Sequence, residues 1–419
     1  MTLVTRIIGD CPGCGAKNCF GNVMVHGDAV ERGCMNCSHG YHWPLTPVHK
    51  KVLYLDQFFF SRAFRMKDPA QDQKYADAVA RIKELALKQV LVVPYGSVHE
   101  DETHQWLGDD GRTRDDLMDF IKATSGGHEL ERSLRVQHAQ VLRGFEHFLA
   151  DKPVKWNIDP ADALPDDLHE WTNYIWIDVP GYYGNIEGIR ADKEKTVARL
   201  ADILPEWRAS TSTFKENLAL ELRDGAQAYM DAFKKKVDAS FARDFDALWR
   251  VPYNASLIEA LLAHFPDNIP GEQQFRTVVA FFQSEHFANT PYWWIWSHAL
   301  AVLKERVKRG AYSHSTKGPA RLSGYFDDIE FIGTYAPYCD AVFIDKAMEE
   351  MMRDPRLNLA KRFGVRVFSE ANWALFSAWL DSLDANLSDD HIHDLAMAYP
   401  DSVANPLDVM RARVAEGNI

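Results

Sequence analysis

Two short runs of apolar residues early in the chain predict buried strands. The first run covers 52–55 and ends at Asp56, and the second covers 90–93. Apolar runs this short, without alternating polar positions, are typical of strands that are buried on both faces of a parallel sheet. A helical pattern over 73–89 lies between them. The order strand, helix, strand therefore predicts the beginning of an α/β sheet.

Alternating helix and strand patterns are predicted again near the end of the chain. An apolar helical pattern over 328–335 precedes a strand at 341–344, which runs into Asp345. A last strand is predicted at 365–368. Because these strands resemble the early ones in length and composition, we expect all of them to belong to one sheet.

The middle of the chain is predicted to be mainly helical. Apolar residues recur at three- and four-residue spacing over 214–237 and 257–265. A connection of about 200 residues is far longer than ordinary loops, so we expect a helical insertion that splits the sheet. The predicted domains are a zinc ribbon at 1–48, a PIN-like α/β domain at 49–104 and 322–385, a helical insertion at 105–321 and a C-terminal helical tail at 386–419.

Composition narrows the class of protein. The apolar fraction of 46% and the charged fraction of 26% are typical of a globular protein. No apolar run is long enough for a membrane span or a secretory signal, so the predicted location is the cytoplasm, with no membrane partner. A net charge of -13 argues against a surface that binds nucleic acid everywhere. Residues 1–52, however, carry five Lys or Arg and only three Asp or Glu.

Four cysteines predict a structural zinc site near the N-terminus. Cys11 and Cys14 form one Cys-x-x-Cys pair, and Cys34 and Cys37 form a second pair after a 19-residue gap. Four thiolates give a closed tetrahedral shell, so this zinc should support the fold and take no part in catalysis. A redox role is the weaker interpretation, because no βαβ pattern surrounds either pair. The ribbon is expected to recognise nucleic acid or to dock a protein partner.

Acidic residues follow the predicted strands. Asp56 and Asp345 end strands, Glu102 lies shortly after the strand at 90–93, and Asp328 opens the helix before 341–344, with Asp327 as its alternative. In open parallel sheets the functional crevice lies at the carboxyl ends of the strands. Carboxylates gathered there repel one another unless a cation neutralises them, and oxygen ligands suit Mg²⁺ or Mn²⁺. Taken singly, each acid also fits a strand end or a helix cap.

Three segments resemble the PIN-domain nuclease family. The segment YLDQFFFSRA resembles the first strand of that family with its leading acid, Asp56. VPYGSVHEDET resembles the second motif, with Ser97 five residues before Glu102. DDIEFIGTYAPYCDAVFIDK resembles the third, with Asp328 and Asp345. The match departs from the family pattern directly after Asp56, where QF stands in place of the Thr or Ser and Asn found in many members.

The resemblance implies a fold and a function. It implies a PIN-like α/β nuclease in which Asp56, Glu102, Asp328 and Asp345 bind catalytic Mg²⁺ or Mn²⁺ and hydrolyse phosphodiester bonds. RNA is the substrate that the family implies. Ser97 is expected to hydrogen-bond Asp56 or a water on the metal. The alternative is an inactive PIN-like binding or scaffold protein whose zinc ribbon contacts RNA or a protein partner.

A basic run lies just before the third motif. Clustered Lys and Arg beside a metal site suit a phosphate backbone, although the end of a solvated helix has the same composition. The predicted substrate-binding residues of this run are Arg306, Lys308, Arg309, Lys317 and Arg321. His99, three residues before Glu102, is a candidate for positioning a phosphate or a proton, but a lone His near a strand end is more often structural.

Overall fold

The computed structural model describes residues 3–106, 108, 111–154, 158–164, 166–172, 186–249, 251, 254–313 and 317–399. Strands and helices are numbered in chain order. The strands are β1 Arg6–Gly9, β2 Phe20–Gly27, β3 Ala29–Cys34, β4 Gly40–Pro44, β5 Lys51–Leu55, β6 Leu91–Val92, β7 Trp171–Thr172, β8 Ala341–Phe343 and β9 Arg366–Phe368.

Helices make up most of the described chain. They are α1 Gln57–Arg65, α2 Pro69–Leu87, α3 Ser97–Gln105, α4 Arg114–Ser125, α5 Ser133–Leu149, α6 Ile186–Ala209, α7 Phe214–Ala242, α8 Phe245–Trp249, α9 Ala255–Leu262, α10 Gly271–Phe282, α11 Glu285–Ala288, α12 Pro291–Lys308, α13 Lys317–Tyr335, α14 Lys346–Met352, α15 Leu359–Phe363, α16 Trp373–Ala385 and α17 Asp389–Ala398. None of those found in the described part of the chain is both long and apolar enough to cross a lipid bilayer.

A parallel sheet joins the two ends of the chain. Its strand order is β6, β5, β8, β9, and every neighbouring pair is parallel. Leu55 of β5 pairs with Phe343 of β8, so the two strands end side by side. The α/β prediction is confirmed at this level: the four predicted apolar runs are the four strands, with ends within one residue of the expected ones.

Side chains of β5 alternate between two apolar cores. Val52 and Tyr54 point into a core built largely with α12 and α13. Leu53 and Leu55 point to the other face, where they pack with α1, α2 and α16. Because both faces are covered by helices, all four side chains are buried, which explains the uninterrupted apolar run in the sequence.

Two helices begin earlier than the sequence pattern predicts. The helix that carries Asp328 starts at Lys317 and not at 328, so Asp328 lies well inside α13 and does not cap it. Leu322 and Ile329 are both fully buried, and this seven-residue spacing keeps one apolar face continuous through the paired acids. Helix α2 similarly starts at Pro69, a residue suited to the first turn of a helix.

The N-terminal segment forms a separate antiparallel sheet, here called the N-terminal sheet. Strands β1 to β4 are neighbours in chain order, and β7, from much later in the chain, pairs with β2. The sheet therefore draws a strand from outside the first 48 residues. Val25 and Val30 pack against Trp171 and against Leu395 of α17, so the last described helix covers one face of this sheet.

Candidate functional site

The four paired cysteines come together at one end of the N-terminal sheet. Their thiol sulfurs all lie within 4.8 Å of one another. Cys11 Sγ is 3.7 Å from Cys37 Sγ, and Cys14 Sγ is 3.8 Å from Cys34 Sγ. A tetrahedral zinc ion with Zn–S bonds of about 2.3 Å has sulfur–sulfur edges of about 3.8 Å. The predicted cysteines are thus placed to bind one zinc ion.

Backbone N–H groups prepare these sulfurs for metal binding. The N–H of Asn36 donates to Cys34 Sγ over 3.2 Å, and the N–H of His39 donates to Cys37 Sγ over 3.4 Å. Burial alone would raise the pKa of the Cys34 thiol, but the N–H groups of Asn36 and Cys37 lower it to about 6. A thiolate is the form that binds zinc, so at Cys34 this geometry favours the ligand state. At Cys37 the N–H of His39 lowers the pKa in part, but burial and the neighbouring thiols raise it to about 12.

A fifth cysteine lies beside this cluster. Cys19 is buried, its Sγ is 3.5 Å from Cys34 Sγ, and it donates to the carbonyl of Ala16. Burial raises the pKa of the Cys19 thiol to about 11, so it stays protonated at neutral pH. The sequence spacing separates Cys19 from the two Cys-x-x-Cys pairs, and the structure gives it the role of a small buried neighbour.

A second candidate site lies at the carboxyl end of the parallel sheet. Asp56 follows β5, and its N–H donates to the carbonyl of Phe343 over 3.0 Å. Asp345 follows β8, two residues after Phe343. The parallel register therefore places these two acids at adjacent strand ends, as the sequence predicts.

Helices α3 and α13 bring two further acids to this edge. Asp56, Glu102 and Asp328 line one small cavity. The other lining residues of this cavity are Tyr54, Val98, Phe331, Ile332, Ile344 and Met348. Asp345 is close enough that its charge acts on both Asp56 and Asp328. All four predicted acids thus interact across one edge of the sheet.

Burial and mutual repulsion make these carboxyl groups hard to ionise. Burial, with the nearby charges of Glu102 and Asp345, raises the pKa of Asp56 to about 8. Burial and the charge of Asp56 hold the pKa of Asp328 well above its usual range. Burial also raises the pKa of Glu102 to about 7, although the ammonium of Lys193 lowers it in part. A positive charge nearby would favour the ionised forms of these groups.

The donor set fits a hard divalent cation. Its side chains offer only oxygen atoms, which Mg²⁺ and Mn²⁺ prefer, and their raised pKa values are those that a bound cation would lower. The acids are spaced more widely than the thiols. Among the described residues, the cysteines form the single group of three or more Cys, His, Asp or Glu whose ligand atoms lie within 4.8 Å of one another. Mg²⁺ commonly keeps several waters and few protein ligands, which suits such spacing.

One predicted acid has a local structural role as well. Asp345 caps α14, because its Oδ1 accepts a hydrogen bond from the N–H of Met348 over 2.6 Å. The capping interpretation of Asp345 is confirmed, and it leaves Oδ2 for other contacts. Asp327, the alternative to Asp328, is exposed on α13, and its charge acts on Glu102 and Asp328.

The other predicted site residues lie farther from the acids. Ser97 is the first residue of α3 and does not line the acidic cavity. The residues of this helix that line the cavity are Val98 and Glu102. Arg306 donates to the carbonyl of Glu350, and Lys308 donates to the carbonyl of Ser212.

The rest of the basic run lies at the surface or at a helix start. Arg309 and Arg321 are exposed, and Lys317 begins α13. Burial and the charge of Asp345 raise the pKa of Tyr325, and the charge of Arg306 lowers it in part. Arg306 of the basic run therefore lies on the same side of the site as Asp345.

A large cleft beside the acidic cavity was not foreseen from the sequence. Its volume is about 720 Å³, and Glu102 lines both this cleft and the acidic cavity. The remaining lining residues are Gln57, Phe58, Ser61, Arg62, Arg65, Lys67, Asp68, Asp72, Gln105, Trp106, Leu117 and Lys193. These residues come from four separate segments, so no local sequence pattern marks them as a group.

Comparisons with known proteins give no family for this chain. No family model, no curated protein and no solved structure matches it. The functional argument therefore depends on the geometry of the acidic cavity, the cysteine cluster and the adjoining cleft.

Proposed function

We propose that the acidic cavity is the active site of a Mg²⁺- or Mn²⁺-dependent nuclease of the PIN-like type that hydrolyses phosphodiester bonds, with RNA as the expected substrate. One observation carries this proposal: carboxylates from β5, α3, α13 and the end of β8 interact at the carboxyl edge of a parallel sheet, where three of their pKa values are raised. The charges that act most strongly on Asp56 and Asp328 are those of other carboxyl groups and not of side-chain cations, which distinguishes this site from a structural ion pair.

The chain's own residues have distinct parts in this proposal. Asp56 and Asp328 would hold the cation, since both line the acidic cavity and Asp56 is the charge that acts most strongly on Asp328. A bound Mg²⁺ or Mn²⁺ supplies an activated water and neutralises charge that develops on the phosphate. Glu102, at the boundary between the cavity and the cleft, is placed to accept a proton from the attacking water. Lys193, whose charge acts on Glu102, would attract the phosphate backbone to this boundary.

In this proposal the cysteine cluster has a structural role that is separate from catalysis. Its four thiols leave no open coordination position, so a zinc ion bound there would stabilise the N-terminal sheet and would not take part in hydrolysis. This sheet would then serve as the recognition or docking element.

One feature favours the alternative of an inactive binding protein. The described acids do not gather within 4.8 Å as the thiols do, and Asp345 uses one oxygen as a helix cap. Under this alternative the acidic cavity is a remnant, and the N-terminal sheet contacts RNA or a protein partner.

Cleavage of labelled single-stranded RNA and DNA of the same sequence, with Mn²⁺ added or omitted, tests the proposal. We expect metal-dependent cleavage of RNA that Asp56→Asn and Asp328→Asn each lower by about 100-fold or more. Asp267→Asn is the matched control, because Asp267 is exposed in the loop before α10. Wild-type protein that cleaves neither polymer would favour the binding protein. Variants that cleave as well as wild type would overturn the acidic cavity as the active site.

A further inference from the structure

The cleft beside the acidic cavity has the size and chemistry of a ligand site. Its volume of about 720 Å³ lies within the range of small-molecule pockets. Phe58 and Trp106 give it aromatic surface, and the side chains of Gln57 and Gln105 give it amide groups. Glu102 connects it directly to the cavity that holds Asp56. A group bound in the cleft would therefore lie next to the acids.

Gln57 provides a polar group without a partner in this cleft. It is only 7% exposed, and its Nε2 donates to Thr103 Oγ1 over 2.7 Å. Its Oε1 is buried and has no hydrogen-bond partner in the described structure. A buried amide oxygen without a partner is destabilising, so a ligand that reaches it and donates a hydrogen bond would offset that loss.

Trp106 and Arg65 provide stacking surfaces at the same place. The guanidinium carbon of Arg65 lies 5.2 Å from the centre of the Trp106 ring. Both side chains line the cleft. Indole rings and guanidinium planes are the surfaces on which unpaired nucleobases stack in nucleic-acid complexes.

Cations flank this arrangement. Lys67 and Lys193 are exposed and line the cleft. Arg62 also lines the cleft, and it pairs with Asp72 and Glu370 over 2.7 Å and 2.6 Å. The exposed ammonium groups of the two lysines are placed to attract the phosphate of a nucleotide whose base stacks in the cleft.

We propose that this cleft is a nucleobase pocket, in which a base stacks on Trp106 and donates a hydrogen bond to the side-chain amide of Gln57. The proposal rests on the proposed function, because it places one base of the substrate strand beside the scissile phosphate. Gln57 and Phe58 are the two residues at which the first motif departs from the PIN-domain pattern. The pocket thus gives these two positions a specificity role of their own.

Calorimetric titration of the full-length protein with each of the four nucleoside 5′-monophosphates, without Mg²⁺ or Mn²⁺, tests this proposal. We expect at least one nucleotide to bind with 1:1 stoichiometry. Trp106→Ala should weaken that binding by about 5- to 150-fold, since stacking on an aromatic ring contributes about 1–3 kcal/mol per base. Trp106→Phe should retain much of it. Gln57→Leu should reduce the difference in affinity among the four bases.

Three controls make the result decisive. Trp249→Ala removes an indole that is 89% exposed on α8 and should leave nucleotide binding unchanged. Ribose 5-phosphate should bind much more weakly than the nucleotides. Loss of the hydrogen bond to Thr103 can unfold the Gln57→Leu variant, so the thermal unfolding of this variant is measured as well. If Gln57→Leu is unfolded, the binding result for Trp106→Ala decides the test.

The two proposals fail in different ways. Nucleotide binding that depends on Trp106, in a protein that cleaves neither RNA nor DNA, would support the pocket and overturn the nuclease. Metal-dependent cleavage that Trp106→Ala leaves unchanged, with no nucleotide binding, would overturn the pocket and support the nuclease. Equal binding of ribose 5-phosphate and the nucleotides would also overturn the pocket, because it would show a phosphate site.

Discussion

His99 connects the end of β5 to the start of α3 through its contact with Leu55. Its Nε2 lies 2.8 Å from the carbonyl oxygen of Leu55, and its Nδ1 accepts a hydrogen bond from the N–H of Gly96 over 3.0 Å. Because Nδ1 accepts, Nε2 must carry the proton and donate. Leu55 directly precedes Asp56, and Gly96 directly precedes the helix of Glu102. The ring therefore fixes two acid-bearing elements relative to each other.

The first prediction concerns this imidazole. Replacing His99 by Phe keeps a similar volume but leaves the carbonyl of Leu55 and the N–H of Gly96 without a partner. Each buried unpaired group costs about 1–3 kcal/mol, so the loss of both should lower the free energy of unfolding by about 2–6 kcal/mol. Urea unfolding at neutral pH measures this loss. His147→Phe on α5 is the control, and an equal effect of the two substitutions would contradict the positioning role of His99.

The second prediction concerns the same ring at low pH. Burial lowers the pKa of His99 to about 4, from a usual value of 6.5. Between these two pH values the unfolded chain binds the proton and the folded chain does not, so this residue makes stability fall as the pH drops from 6.5 to 4. The His99→Phe variant should lack this component. Unfolding curves of both proteins across this pH range would show a constant difference if the prediction is wrong.

The third prediction concerns Asp56 in protein without Mg²⁺ or Mn²⁺. The folded pKa of about 8 lies above the usual 3.8, so the folded chain holds a proton that the unfolded chain has lost between these values. Stability should therefore fall as the pH rises from about 4 to 8. Asp56→Asn should be more stable than wild type at pH 8 by more than about 1 kcal/mol, the equivalent of one pKa unit. The difference should disappear near pH 4.

Measurement of this effect requires that the zinc site stay loaded. Chelators would also strip thiolate-bound zinc, so resin-treated buffers are preferable to added chelator, with the zinc content checked by mass spectrometry. Asp267→Asn provides the matched neutral substitution at an exposed site. Parallel pH profiles for wild type and Asp56→Asn would contradict the raised pKa of Asp56.

The fourth prediction concerns the zinc ligands. Purified protein should contain one zinc ion per chain, and Cys14→Ala or Cys34→Ala should abolish it, because a closed shell needs four thiolates. Cys19→Ala removes a thiol only 3.5 Å from Cys34 Sγ but should keep full zinc occupancy. Elemental analysis measures this, and a tetrahedral thiolate spectrum with Co²⁺ identifies the ligands. Zinc loss in Cys19→Ala would show that the ligand set is wrong.

The fifth prediction concerns the contact between α17 and the N-terminal sheet. The buried Asp394 Oδ2 accepts hydrogen bonds from the N–H and the Oγ1 of Thr46, both over 2.7 Å. Hydrogen bonds to a charged group contribute about 1.5–3 kcal/mol each, so Asp394→Ala should destabilise the protein by at least about 2 kcal/mol. Asp389→Ala, at the exposed start of the same helix, should change stability little. Proteolysis within the N-terminal sheet should increase only in Asp394→Ala.

Local sequence patterns were sufficient for the four strands of the parallel sheet and for the paired cysteines. The apolar run of β5 predicts its strand because both faces of that strand are buried, which leaves no polar position to interrupt it. The paired cysteines predict their cluster because each Cys-x-x-Cys turn holds two sulfurs close together whatever surrounds it. The start of α13 was missed because the two adjacent acids resemble a helix start, while the buried face that continues through them depends on distant partners.

The α/β pattern, the cysteine cluster and the acids at strand ends can be predicted from short segments, since each depends on residues close together in the chain. Which groups face one another depends on tertiary packing. In the folded chain β5 pairs with β8, almost 300 residues later in the sequence. Lys193 lies near Glu102, and Gln57 and Trp106 line the same cleft. Parallel pairing and helix packing set these distances, and neither leaves a mark within a short segment of sequence.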